Sequence, residues 1–248
     1  MSRRILRWLV PGIVAYLVFL CATFPAAYAT RWLRSRTPGI QLTGVSGSIW
    51  SGQAQQLVFE SVPLGTVSWH FDWRAPWSGQ LGYHLRITDE GMQLDGRVAI
   101  GHGQRLVIHN LVGRVPLQRL DHWLPLPPDS VAGLLQLDLS NLEINNGLPQ
   151  TVQGTVTLGD ASLSWPQSAA LGSYRMQLSS AKAITATIQD SGGPLVLEAQ
   201  AQLEPDGRYH VSGKLSARDA DSAAAKLLTY LGSPDPSGKY PFDFAGHL

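Results

Sequence analysis

Histidine is the side chain best suited to proton transfer and metal binding near neutral pH, and this chain has seven. Their spacing supports neither chemistry, because none falls in an H-E-x-x-H pattern. His70, His84 and His210 alternate with apolar residues, which favours solvent-facing positions on strands. The single cysteine, Cys21, excludes an intramolecular disulfide and a zinc site built from several cysteines.

Motifs for nucleophilic attack and phosphate binding are also missing from the sequence. Gly101-His102-Gly103 lacks the third glycine of a phosphate-binding loop, and Gly44-Val45-Ser46-Gly47 lacks the spacing of a nucleophile elbow. Asp89 and Glu90 are adjacent carboxylates, but Gly91 follows them and the setting is typical of a turn. We therefore predict a non-enzymatic protein with no catalytic residue, no cofactor and no metal.

Tryptophan is the remaining residue type whose placement suggests a function. The sequence Trp50-Ser51-Gly52-Gln53 recurs as Trp77-Ser78-Gly79-Gln80, and the period does not continue. The favoured interpretation is two similar corners between strands, each with its tryptophan in the core. The alternative is a stacking or partner-binding surface.

Three tryptophans form the predicted interaction surface: Trp50, Trp77 and Trp123. Trp77 and Trp123 stand beside prolines and are the better candidates for an exposed contact. Trp69 and Trp73 alternate with polar residues, so we place them on the core face of a strand.

Long runs of period-2 alternation indicate the fold. Each run has one buried and one wet face, because successive strand side chains point to opposite sides of a sheet. Turn residues such as Asn145-Asn146-Gly147 and Asp206-Gly207 separate the runs. We predict an all-β fold of about 10–14 strands: an antiparallel meander in a curved sheet, or a β-sandwich. The clearest runs cover residues 67–73, 81–87, 135–139, 195–203 and 209–215.

Two segments interrupt the strand pattern and read as short helices. The first runs from Pro116 to Trp123, with the proline at its first position. The second runs from Asp219 to Leu231, with Asp219 or Asp221 as its cap and Gly232 at its end. Its apolar face, which we expect to seal one end of the sheet, consists of Ala220, Ala224, Leu227, Leu228 and Leu231.

The N-terminal region carries a membrane signal. Residues 8–30 are 23 residues without a charge, long enough to span a bilayer. We predict a cytoplasmic tail at 1–7, a transmembrane helix at 8–30, a linker at 31–39 and an exported β domain at 40–248. Ala27-Tyr28-Ala29 has the form of a cleavage site, so a cleaved signal peptide is the alternative. Both send the rest of the chain across the membrane.

The overall charge argues against nucleic acid as a partner. The formal net charge is +1 over 248 residues, whereas a nucleic-acid-binding domain is usually strongly basic.

The order of these parts resembles the type II secretion system protein N family. The most specific stretches are Gly44 to Ala54 and Leu64 to Gly79, and Gly238 to Phe242 with Gly246 gives weaker support. The resemblance implies a single-pass protein of the cell inner membrane. Most of the chain would lie in the periplasm and act with other inner-membrane components of the type II secretion machinery in the export of folded proteins. No catalytic residue carries over, because no enzymatic motif defines the family.

A lipid-binding or lipid-transfer protein of the envelope is the rival interpretation. A single span followed by an amphipathic sheet also suits a protein whose apolar face is open to acyl chains. The exported region, about 210 residues by the domain boundaries above, is too short to bridge a periplasm as a duct.

Overall fold

The computed structural model describes residues 19, 23–26, 39–60, 62–101, 105–123, 127, 129–165 and 167–247. The chain divides into two compact units. The first consists of Met1–Asp72 and Tyr83–Asp89, and the second of Trp73–Gly82 and Glu90–Leu248.

The first unit is a small antiparallel sheet. Strands β1 and β2 both pair with β3, while β4 lies between β3 and β5. Ala54, Val67 and Phe71 are the buried apolar residues of its strands. The Phe71 ring makes edge contacts with Trp50 and Tyr83, at centroid distances of 4.9 and 5.3 Å. The strands are β1 (Ile40–Thr43), β2 (Ser46–Gly47), β3 (Ser51–Phe59), β4 (Val62–Asp72) and β5 (Leu81–Asp89).

The second unit is an antiparallel meander in which each strand from β6 to β14 pairs with the next along the chain. The prediction of an all-β antiparallel meander is confirmed, and the 14 strands of the described residues agree with the expected number. The strands are β6 (Met92–Ile100), β7 (Leu106–Pro116), β8 (Val131–Asn145), β9 (Leu148–Leu163), β10 (Ala169–Ser180), β11 (Ile184–Gly192), β12 (Leu195–Leu203), β13 (Arg208–Ala217) and β14 (Tyr240–His247). The helical turns are the 3₁₀ helix η1 (Ala75–Ser78), the 3₁₀ helix η2 (Leu117–Trp123), the α-helix α1 (Ala223–Leu228) and the 3₁₀ helix η3 (Thr229–Leu231).

The main apolar cluster of the second unit joins strands that are not neighbours. Leu139 of β8, Val152 of β9 and Ile184 of β11 pack together, and each is buried. Contact across the intervening β10 requires the sheet to bend over this face. The bend also brings the start of β9 to the β12–β13 turn, where Gln150 Nε2 donates a hydrogen bond to the Pro205 carbonyl at 3.3 Å.

The two hairpin turns predicted from Asn145-Asn146-Gly147 and Asp206-Gly207 are present in the structure. Asn146 and Gly147 have φ values of 51° and 82°, as a two-residue type I′ turn requires. At the next predicted hairpin, Gly207 has φ of 93° and its amide donates to the Glu204 carbonyl at 3.0 Å. These turns fix the register of the strands that they join.

The second predicted helix exists but is shorter than expected. It begins after Ser222, whose Oγ accepts a hydrogen bond from the Ala225 amide at 3.1 Å, so neither predicted aspartate is its cap. Asp219 Oδ1 instead accepts from the Asp221 amide at 3.0 Å, a local turn that competes with the helix. Ala224 and Leu228 are buried against Leu195, Leu171 and Leu215, as the predicted role of covering one part of the sheet requires.

The first predicted helix is present and ends at the predicted Trp123, but it is the 3₁₀ helix η2 and begins at Leu117, because Pro116 is the last residue of β7. One further expectation was wrong. Trp73 does not face the core. β4 ends at Asp72, so Trp73 lies beyond the sheet and is 64% exposed.

The predicted transmembrane helix at 8–30 lies mostly outside the described residues and stays a prediction. Within the described part of the chain, no helix is both long enough and apolar enough to cross a membrane. Near the end of this segment, Pro25 forms an isolated β-bridge with Ser48, and the Phe24 carbonyl accepts from the Ile49 amide at 3.1 Å. Ala26 is only 2% exposed.

Candidate interaction surfaces

The segment from Trp73 to Leu81, here called the aromatic loop, concentrates exposed apolar side chains. Trp73 is 64% exposed, Trp77 is 93% exposed and Leu81 is 56% exposed. Burying such side chains would be favourable by about 25 cal/mol per Å² of apolar surface. Contiguous exposed apolar patches are typical of contact surfaces, so this loop is a candidate for one.

A hydrogen-bonded turn holds Trp77 in this exposed position. The Trp77 amide donates to the Arg74 carbonyl at 3.2 Å, and the Gly79 amide donates to the Pro76 carbonyl at 3.0 Å. Pro76 fixes one backbone angle at the start of η1, and Gly79 ends it with φ of 73°. The turn therefore holds the Trp77 indole in one exposed position.

The other two predicted surface tryptophans have different surroundings. Trp50 is half-buried and packs edge-on against Phe71, so it contributes to the packing of the first unit. Trp123 is the last residue of η2, and its side chain lies outside what the structure describes. Of the two tryptophan side chains in this set that the structure describes, Trp77 is thus the exposed one, and a surface shared by all three stays a prediction.

A polar trough lies on one face of β11–β14 and has a volume of about 940 Å³. Two complete cross-strand rows line it, because residues paired across antiparallel strands point to the same face. One row is Thr187, Gln200, Ser212 and Asp243, and the other is Gln189, Glu198, Lys214 and Pro241.

The residues between these rows point to the opposite, apolar face. Ala199 is 5% exposed there, and Phe242 covers Gly213, which has no side chain. Four strands thus contribute a polar lining on one side and packing on the other. Sequence reasoning found the wet faces of β12 and β13 but missed the trough, since its rows depend on the register of four strands.

Three charged groups that line the trough, Glu198, Lys214 and Asp243, each pair with a residue outside its lining. Lys214 Nζ lies 3.2 Å from Asp235 Oδ2, and Lys239 Nζ lies 3.7 Å from Glu198 Oε2. His210 Nε2 lies 2.9 Å from Asp243 Oδ2, which joins β13 to β14. The sequence placed His210 on a wet strand face but gave no sign of this partner 33 residues away. Both side chains are more than half exposed, so the pair is a surface contact.

The loop before β14 is organised by one carboxylate. Asp235 Oδ1 accepts from the Ser237 hydroxyl at 2.5 Å and from the Lys239 amide at 3.0 Å. These hydrogen bonds, led by that of the Ser237 hydroxyl, hold the pKa of Asp235 well below its usual range. The loop thereby sets the point at which β14 enters the sheet.

A second anchored group is Tyr174 on β10, which is the cross-strand partner of the trough-lining residue Asp190. Burial, with a smaller effect of Asp190, raises the pKa of Tyr174 to about 12. Its hydroxyl donates to the Leu171 carbonyl at 2.8 Å, and Asp190 pairs with Arg218. The phenol stays neutral at physiological pH and serves to hold the backbone.

Strand β14 is the last strand of the meander and offers a sheet edge. Among the described residues it pairs only with β13. Phe244 on its apolar face is 58% exposed, and the Asp243 side chain on its trough face is 67% exposed. An edge strand presents backbone groups that can pair with another extended segment.

Metal-binding geometry is lacking in the part of the chain that the structure covers. No group of three or more His, Cys, Asp or Glu side chains there lies close enough to hold a metal ion. What the arrangement offers is exposed aromatic surface, a polar trough and a strand edge, which are means of binding.

The chain is similar to a family of known proteins over most of its length. The family model described as "Type II secretion system (T2SS), protein N" matches residues 38–243. Three curated relatives are each named "Type II secretion system protein N". The one from Vibrio cholerae serotype O1 is 27% identical over 219 residues, covering 85% of this chain and 86% of the relative. Those from Aeromonas hydrophila and Klebsiella pneumoniae are 26% and 28% identical and cover 95% and 93% of this chain, and 96% and 91% of their own lengths. No solved structure matches significantly.

Proposed function

Because the chain belongs to the type II secretion system protein N family, we propose that it is a non-enzymatic inner-membrane component of the type II secretion pathway. The family match over residues 38–243 is the observation that carries this proposal. The uncharged stretch at 8–30 supports a single membrane anchor. The β domain at 40–248 then lies in the periplasm and acts through protein contacts with other components of the machinery.

The contact that we propose is strand addition at β14. An extended segment of another component pairs with the edge backbone, and its side chains alternate between the two faces of the sheet. Apolar side chains would meet Phe244 on one face, and basic side chains would meet Asp243 on the other. The trough continues the polar face from β14 toward β11. Long side chains of the added segment can therefore reach past β14 into the trough.

Photo-crosslinking in native membranes tests this contact. The full chain carries a benzophenone amino acid in place of Phe244, and a matched variant carries it in place of Val112. Val112 is similarly exposed, at 51%, but β7 is paired on both sides. We expect adducts with another secretion component from position 244 and none from position 112. No adduct from position 244, or the same adducts from both, would refute docking at β14.

Co-purification of a variant with a charged residue on β14 is the second test of this contact. Phe244→Lys removes an exposed aromatic anchor and is expected to weaken co-purification with the partner about tenfold. Failure of the intact chain to co-purify with any component of the pathway would count against the functional assignment itself.

Lipid binding is a second candidate, supported by the apolar face of the meander. Leu111, Leu142, Val156, Leu178 and Leu203 surround the main cluster and are only half-buried. Such a face could accept acyl chains. Native mass spectrometry of the full chain should then show bound phospholipid that is lost in Leu178→Asp, and a lipid-free intact chain would exclude this candidate.

A further inference from the structure

The aromatic loop is the strongest exposed apolar feature that the proposed strand contact does not use. It supplies three of the eleven large hydrophobic side chains found exposed in the described residues, although it is only nine residues long. Its turn is stabilised by backbone hydrogen bonds, so the exposure of Trp77 is built into the fold.

The composition of the loop suits a membrane surface. Its nine residues include two tryptophans, a leucine and a proline, and Arg74 is the only charged residue. Tryptophan prefers the interface between lipid headgroups and hydrocarbon, because its ring is apolar and its N–H is polar. A neighbouring arginine is favourable where the lipids are anionic. The loop itself contains no carboxylate, and the nearest one in sequence is Asp72, directly before Trp73.

The described end of the uncharged stretch pairs within the first unit, and β4 of that unit is followed closely in sequence by the aromatic loop. Phe24 and Pro25, close to the end of the uncharged stretch, pair with Ser48 and Ile49. The adjoining Trp50 carbonyl accepts from the Phe71 amide at 2.6 Å, so the end of β4 lies at the same corner of the first unit. The aromatic loop begins two residues later, at Trp73.

We propose that the aromatic loop inserts Trp77 into the headgroup region of an anionic phospholipid bilayer, as a second membrane contact in addition to the anchor. The inference rests on the proposed inner-membrane location and names the partner of this surface as lipid. The loop contact would limit how far the β domain can turn about its anchor.

Fluorescence quenching in lipid nanodiscs tests the insertion. The full chain is reconstituted in a mixture of phosphatidylethanolamine and phosphatidylglycerol, with part of the lipid brominated near the headgroup end of the acyl chains. The chain has eight tryptophans, so the comparison is made between variants. Trp77→Ala should lower the bromine-quenched emission by the share of one tryptophan. Trp165→Ala, which removes another exposed indole, should leave the quenched emission unchanged; Trp165 is 55% exposed.

Each outcome has a defined meaning. An unchanged quenched emission in Trp77→Ala, or equal losses in both variants, would overturn insertion of the loop. Protection of Trp77 from aqueous acrylamide only after a second protein is added would also overturn it, in favour of a protein contact. Alkaline carbonate extraction distinguishes the proposed membrane anchor from the proposed lipid contact of the aromatic loop. Release of the chain from membranes would refute the anchor. Retention of the chain without quenching of Trp77 would refute only the lipid contact.

Discussion

Replacing Gly213 with alanine is expected to destabilise the chain through a clash in the sheet beneath the trough. Gly213 lies between Ala199 on β12 and Phe242 on β14 in one cross-strand row. A methyl group at this position would lie 2.6 Å from the Ala199 Cβ and 2.6 Å from the Glu198 carbonyl oxygen. It would also lie 2.7 Å from Cζ of Phe242.

The expected loss follows from these distances. Non-bonded carbon atoms prefer separations of about 3.5–4.0 Å, so the new methyl group is roughly 1 Å too close to each neighbour. Overpacking of this kind costs about 1–3 kcal/mol. Alanine reduces the entropy of the unfolded chain and offsets about 0.4–1 kcal/mol of that cost. The net loss in unfolding free energy is about 1.5 kcal/mol, or a fall of about 3–6 °C in melting temperature for a chain of this size.

Thermal unfolding of the full chain in detergent, followed by far-UV circular dichroism, measures the effect. Gly159→Ala is the matched control, because a methyl group there would have only the Leu134 carbonyl oxygen nearby, at 3.8 Å. We expect the control to keep or slightly raise the melting temperature. If Gly213→Ala has the same melting temperature as the intact chain, Phe242 does not cover Gly213, and the register of β13 with β14 is wrong.

The same melts test two further residues. Leu228→Ala empties a site in α1 that is 3% exposed, and it should cost about 2–5 kcal/mol; Lys226→Ala, on the exposed side of the helix, should change stability by less than about 0.5 kcal/mol. A small effect of Leu228→Ala would show that α1 does not pack on the sheet. Asp235→Asn should lower the melting temperature at neutral pH. Because the folded-state pKa of Asp235 lies below its ordinary value of 3.8, the stabilisation is complete above that pH and is lost as the pH falls toward the folded-state value. The difference in melting temperature between Asp235→Asn and the intact chain should therefore become smaller in acid. A difference that stays constant with pH would contradict the lowered pKa of Asp235.

Strand positions could be predicted from sequence because alternation is a local property. The run from Leu195 to Leu203 shows this, since its apolar residues line the packed face and Gln200 and Gln202 are exposed. The glycine turns could also be predicted from sequence, because the turn itself requires a positive φ at Gly147 or Gly207.

The surfaces could be predicted only in part, because they depend on what lies opposite a residue. Trp50 and Trp77 occur in the same four-residue sequence, yet Trp50 meets Phe71 while Trp77 follows a proline in a turn. The trough combines residues from four strands, so it required the register of Thr187, Gln200, Ser212 and Asp243. No local pattern contains that information.

The sequential pairing of β6 to β14 has a consequence for how the chain folds as it is synthesised. Each strand finds its partner in the segment made just before it, so contacts are short in sequence and folding can be fast. A hairpin forms in about 1–10 μs, whereas synthesis adds only about 5–20 residues each second. The meander can therefore grow in the order in which the chain emerges, and β14 is the last strand to join. The edge that it presents becomes available only when the meander is complete.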